Sequence, residues 1–166
     1  MPNYCYNEIT IEGDTTELKK LLRYVKSRES EFDFNKILPY PEEYSKMDAG
    51  GNNEGYQHGG YEWCIANWGT KWKAEEIDVS LDDNCLTVHF DSAWSPALGI
   101  TAKLAELYPN LRFKHSYEEE GLDFSGYVAF ENGVQVDAAS GSYKEYSILE
   151  SDDKDDWDED ENDEDE

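Results

Sequence analysis

Blocks of strict apolar and polar alternation, separated by stretches with helical spacing, restrict the folds open to this chain more than any other feature. Residues 3–11 put Cys5, Ile9 and Ile11 on one face and Tyr4, Tyr6, Glu8 and Thr10 on the other, the period of two of a half-buried strand. Ile77, Val79 and Leu81 alternate, Asp82, Asp83 and Asn84 supply a turn, and Leu86, Val88 and Phe90 alternate again, which predicts a hairpin. Leu111, Phe113 and Tyr117 are followed by a turn at Glu120-Gly121. Phe124, Gly126, Val128 and Phe130 come next, and Asn132-Gly133 before Val134 and Val136 signals another hairpin, so two or three antiparallel strands close the body.

The intervening stretches read as helices. Asp14, with Glu17 three residues on, resembles a capping box before the Leu18, Leu21, Leu22 and Val25 stripe, predicting a helix to about Arg28. Ser95 is placed to cap a helix whose first residue is Pro96 and whose apolar face includes Leu98, Ala102, Leu104 and Ala105, with Pro109-Asn110 as its end. Residues 61–68 suggest a short helix stopped by Gly69, and residues 32–41, bounded by Pro39 and Pro41, an edge strand or extended connection closing over the core. Residues 45–60 hold so much Gly and Asn that a mobile loop is expected. Helices separated by paired strands point to an α+β fold in residues 1–150, an antiparallel sheet with helices on one face in the ferredoxin-like plan. A body of that length buries about 70% of its unfolded surface, enough for one core.

Charge narrows the partners. The 166 residues carry 39 acidic against 14 basic side chains, a formal charge of −25. Residues 151–166 hold 12 acidic groups and Lys154, which leaves −14 on the body itself. Such a field repels phosphate backbones and anionic membranes and attracts basic surfaces, so direct nucleic-acid and membrane binding are not expected. Cys5, Cys64 and Cys85 form no CxxC or Cys/His doublet, which fits reduced thiols in a cytoplasm, and no basic-then-apolar opening or membrane-length run suggests export or insertion.

Catalytic, cofactor and metal residues are not written here. His58, His89 and His115 have no ligand spacing and read as solvated or core-edge residues, and Cys64, within an aromatic helix, reads as a small apolar group. Glu118, Glu119, Glu120 and Asp123 look like a solvated turn, and the glycine-rich stretch matches no phosphate-cradling loop. Trp63 and Trp68 suit a core, whereas Trp72 and Trp94 lie at element ends, where recognition residues sit. Trp68, Lys71, Trp72 and Trp94 therefore form the candidate surface or pocket, beneath the glycine-rich loop. Residues 151–166 cannot bury enough to offset ordering entropy and should be disordered when free. Their Asp152, Asp153, Asp155, Asp156, Trp157, Asp158, Glu159 and Asp160 are candidate partner contacts, since an extended chain spaces carboxylates by about 3.3 Å per residue, near the rise per phosphate on one DNA strand.

The opening Met1-Pro-Asn-Tyr-Cys-Tyr-Asn, Phe34-Asn-Lys-Ile-Leu-Pro, Trp63-Cys-Ile-Ala-Asn-Trp-Gly-Thr-Lys-Trp, Ala93-Trp-Ser-Pro and Tyr117-Glu-Glu-Glu-Gly-Leu-Asp-Phe-Ser-Gly resemble the YubB-like family of plasmid and bacteriophage proteins. The resemblance spans most of residues 1 to about 136 and implies a ferredoxin-like domain and a mobile-element origin. It brings no activity, and it leaves out the acidic tail and a second proline expected where Ala97 stands. Charge and family together lead to an expected role: a binding protein in the bacterial cytoplasm that occupies a basic, nucleic-acid-binding surface of a host defence or regulatory protein. A small-ligand protein or enzyme with a pocket near residues 67–72 is the alternative, and a tail that only maintains solubility is a third reading.

Overall fold

In the computed structural model, which describes residues 3–49 and 60–143, strand β1 (Tyr4–Glu12) is an inner strand because both of its edges are taken. It pairs antiparallel with β3 (Cys85–Ala93) from Tyr4↔Ala93 to Glu12↔Cys85, and with β4 (Arg112–Glu119) from Tyr6↔Glu118 to Glu12↔Arg112. Adding β2 (Glu75–Asp82), β5 (Phe124–Glu131) and β6 (Val134–Gly141) gives an antiparallel sheet in the order β2-β3-β1-β4-β5-β6. Helices α1 (Thr15–Val25) and α5 (Leu98–Leu107) sit in the two crossovers, so the first four strands follow the ferredoxin-like plan and β5 and β6 extend it as a meander.

Local chemistry accounts for the helix ends. The Asp14 carboxylate accepts from the Thr16 and Glu17 amides and caps α1. The helix stops at Val25, short of the expected Arg28, because the Ser27 hydroxyl accepts from the amides of Glu29 and Ser30 and turns the chain. Residues 32–41 are not a strand. Asp33 accepts from Asn35 N and starts a one-turn helix, α2 (Phe34–Ile37), whose Phe34 and Ile37 join Phe32 in the core as expected. The predicted loop also begins later than residue 45, because α3 (Glu42–Ala49) carries Glu42 and Glu43 in its first turn and a Lys46–Glu42 pair at 3.0 Å. The rest of the loop, residues 50–59, lies outside the described residues, and α4 (Gly60–Asn67) follows.

Alternation sorts each strand between two unlike faces. On the covered face, Ile9, Ile11, Leu86, Val88, Phe90, Phe113, Val128 and Phe130 pack with Leu18, Leu21, Val25, Ile100 and Leu104 of the helices. Burying each such side chain contributes roughly 1.5–3 kcal/mol. Phe32, Phe34, Phe90 and Trp68 form a chain of ring contacts through this core, with centroid separations of 5.5–5.9 Å. Among the described residues no helix lies on the other face, which presents Tyr4, Tyr6, Glu8, Thr10 and Glu12 of β1 to the exterior or to half-burial.

Helix α5 lies against the end of α4 at Gly99, where an added Cβ would collide with the Asn67 carbonyl oxygen, backbone that cannot swing aside. Gly99→Ala should therefore lower unfolding free energy by about 1–3 kcal/mol in denaturant titrations. An unchanged midpoint would show that the two helices are not in this close contact.

Candidate functional site

Of the four residues singled out as a surface or pocket, Lys71 and Trp94 meet, whereas Trp68 belongs to the core. Trp68 is fully buried, its Nε1 donating to Leu38 O at 2.9 Å and its ring set among Phe34, Tyr40 and Trp63. Lys71 Nζ stands 5.5 Å from the Trp94 ring centroid, an exterior cation–π pair, while Trp72 faces Tyr61 at 6.5 Å and its Nε1 reaches Glu75 Oε2 at 3.5 Å. The segments that contain them are tied together. Thr70 Oγ1 donates to Ala93 O at 2.8 Å, and Ser95 Oγ donates to Gly69 O at 2.6 Å. Ser95 thus locks the Trp-Ser-Pro turn to the Gly-Thr-Lys-Trp turn instead of capping α5, which begins at Leu98 with no side-chain cap.

Beneath that lock is a buried polar cluster centred on Asn7. Asn7 Nδ2 donates to Cys5 O at 2.9 Å and Ser92 Oγ at 2.7 Å, and Asn7 Oδ1 accepts from Ala97 N at 3.3 Å at the start of α5. His115 Nε2 lies 2.8 Å from the same oxygen and its Nδ1 lies 2.7 Å from Thr101 Oγ1. An amide oxygen only accepts, so Nε2 carries the proton and Nδ1 accepts from Thr101. His115 is not the solvated or core-edge residue expected. It is fully buried, and burial lowers its pKa to about 3. Burial also pushes the Cys5 thiol up to about 12, and Cys64 is fully buried within α4.

The acidic turn also differs from expectation. Glu119 is buried, and its carboxylate accepts from Gly121 N at 2.8 Å and Leu122 N at 2.5 Å, closing its own turn. Asp123 accepts from Ser142 Oγ at 2.9 Å, Glu120 is exposed, and Glu118 lies on the open sheet face. His58 and residues 152–160 lie outside the described residues. Among the described residues no cluster of three His, Cys, Asp or Glu side chains is arranged to hold a metal ion. No described helix is long and apolar enough to cross a membrane.

The open face is where carboxylates and phenols gather. Register aligns Glu75, Asp91, Tyr6, Glu118 and Ser125 in one row, and Asp78, His89, Glu8, Ser116 and Tyr127 in the next. His89 Nε2 is 3.2 Å from Glu8 Oε2 and its ring stacks 5.8 Å from Tyr6. Burial and neighbouring carboxylates act together on three of the groups on this face. Partial burial, and then the Glu76 and Glu75 charges, raise Asp91. Partial burial followed by Glu8, Glu118, Asp91 and Asp78 raises the Tyr6 phenol, and the hydrogen-bonded Glu75 carboxylate raises Tyr4. Arg112 is engaged with Glu12 at 3.2 Å and Lys114 with the Tyr127 ring at 5.0 Å. A groove of about 590 Å³ runs across β1, β4 and β5 between Tyr6 and Tyr127. Sequence reading placed Tyr4, Tyr6 and Glu8 on the polar face of β1, but the rows they form depend on the register of strands far apart in sequence, as in Tyr6 with Glu118 and Ser125.

With its split strand–helix–strand plan and its described helices packed on one side of an antiparallel sheet, the chain falls in the ferredoxin-like α+β class. It belongs to the family whose model is described as the ferredoxin-like domain in Api92-like protein, which matches residues 64–165. The match takes in the acidic end that the resemblance read from the sequence left out. The uncharacterized protein YubB of Escherichia coli (strain K12) is 30% identical over 101 residues, 57% of this chain and 69% of that protein. The crystal structure of protein api92 from Yersinia pseudotuberculosis shares the fold with a TM-score of 0.61 at 12% identity, over 86% of this chain and 98% of that one.

The His115 pKa has a signed consequence. An unfolded chain binds a proton near pH 6.5 that the folded chain refuses until about 3, so this residue's stabilising contribution is complete above 6.5 and drains away as pH falls toward 3. In His115→Gln the carboxylate titrations remain and this one is lost. The stability advantage of wild type over the variant should shrink by about 1 kcal/mol per pH unit below 6.5, measured by denaturant unfolding between pH 7 and 4.5. A constant difference would mean that His115 is accessible to protons in the folded state.

Proposed function

We propose that the protein is a binding module that occupies a basic surface of another protein, one that otherwise holds nucleic acid, through the open face of its sheet. The observation that carries this reading is the carboxylate- and tyrosine-bearing face that no described helix covers, on which partial burial and then neighbouring carboxylates raise Asp91 and Tyr6 and the hydrogen-bonded Glu75 raises Tyr4. A single negative field of that kind speeds encounter with a cationic partner, and half-exposed tyrosines give contact area at low entropic cost. Exposed Tyr4 and Tyr6 stand beside the carboxylates, so apolar contact and charge act in one place. Residues 152–160 add further negative charge in sequence to a body that is already acidic. In this reading the partner is a defence or regulatory factor of a bacterium that carries a plasmid or phage, and the protein competes with phosphate backbones for it.

Affinity capture from host lysate across a salt series tests this with full-length protein, a chain ending at Glu150, and the face variant Glu8→Gln/Asp91→Asn/Glu118→Gln. A nucleic-acid-binding protein should be held at low salt, released at high salt, and lost from the face variant. Loss on removing residues 151–166 alone would put the contact in the tail. Equal recovery of the same proteins by wild type and face variant would overturn the reading.

A further inference from the structure

Within the open face, the groove between Tyr6 and Tyr127 has a chemistry of its own. Register sets Tyr6 opposite Glu118 and Glu118 opposite Ser125, while Glu8 lies opposite Ser116 and Ser116 opposite Tyr127. Each row therefore offers one phenol ring, one carboxylate and one small hydroxyl residue, and the two rows are about 7 Å apart along the strands. Ser116 leaves the middle of one row low and Ser125 the β5 end of the other, and both line a groove of about 590 Å³. The walls are planar and the charge beside them is negative.

One cation already shows what the groove accepts. Lys114 Nζ sits 5.0 Å from the Tyr127 ring centroid, and the Tyr127 hydroxyl donates to Asp137 Oδ2 at 2.8 Å, which holds that ring in place. At the other wall the flat His89 ring stacks on Tyr6 at 23° between planes. Flat, cationic and hydrogen-bond-donating is the description of a guanidinium, which stacks on an aromatic face and forks to a carboxylate at the same time, as an ammonium cannot.

We infer that the groove seats an extended, arginine-bearing segment of the partner, with a guanidinium against Tyr6 and Glu118 and the segment running over Ser116 and Ser125. This rests on the proposed function and specifies it. Charge complementarity selects the occupant: a second copy of this chain would bring like charge to a face that is already acidic, and a nucleic acid would bring phosphates.

Full-length protein is titrated calorimetrically at low salt with two peptides of equal length and charge, one alternating arginine with glycine and one alternating lysine with glycine. The arginine peptide should bind about tenfold more tightly. Tyr6→Ala and Ser116→Trp should each erase that preference, whereas Asp82→Asn, on β2 outside the groove, should keep it. Tyr6 is 41% exposed, so its truncation leaves the fold intact even if the tryptophan at 116 does not. Equal affinity for both peptides, or a preference that survives both groove variants, overturns the groove while the acidic-face reading stands. Failure of both peptides to bind overturns both.

Discussion

Asn7 is the side chain on which the two halves of the molecule meet. Its amide links β1 to β3 through Ser92, to β4 through His115, and to the start of α5 through the Ala97 amide, all out of contact with water. No apolar residue of that size could serve. Its removal would orphan several buried donors and acceptors at about 1–3 kcal/mol each. Ser92 in turn donates to Ser95 O, and Ser95 to Gly69 O, so the same network fixes the two turns in which Trp94 and Lys71 meet. Three of the segments that carry the family resemblance, those around Asn7, Gly69 and Ser95, are thus held to one another.

A core packed on one side leaves the sheet with one apolar face and one polar face, and Glu8, Asp78, Asp91 and Glu118 stand on the polar one. The strands present these carboxylates at the spacing of the sheet, where partial burial and then the neighbouring charges raise Asp91 and the Tyr6 phenol. Such an arrangement costs stability through self-repulsion, and a cationic partner of the kind proposed would relieve it. Tyr4, Tyr6 and Tyr127 would give that partner rings to lie on, which a purely solvating acidic surface does not need. Fold and charge thus converge on one surface from independent causes.

Much of this was legible in the residues. The alternation in 3–11 predicted both faces of β1, Asp14 predicted the start of α1, and Asn132-Gly133 predicted the β5–β6 turn, because each depends on neighbours in sequence. Phe32–Pro41 misled because an Asp33 cap is enough to start a single helical turn that propensity alone would not form. Ser95 misled because its hydroxyl had a better acceptor 26 residues away. His115 was unreadable as a core residue, since its partners Asn7 and Thr101 lie 108 and 14 residues distant. The groove was invisible for the same reason, being made by the register of three strands and by no single segment.

Whether the open face is the contact surface is decided most directly by the ring signals of individually assigned tyrosines in ¹³C-labelled full-length protein, with and without a captured basic partner. Tyr4, Tyr6 and Tyr127 lie on the open face, while Tyr24 and Tyr108 pair at 6.3 Å on the helical side and serve as an internal reference. The account predicts that the first three shift on binding and the last two do not. Shifts confined to Tyr24 and Tyr108, with the open-face rings unmoved, would contradict it.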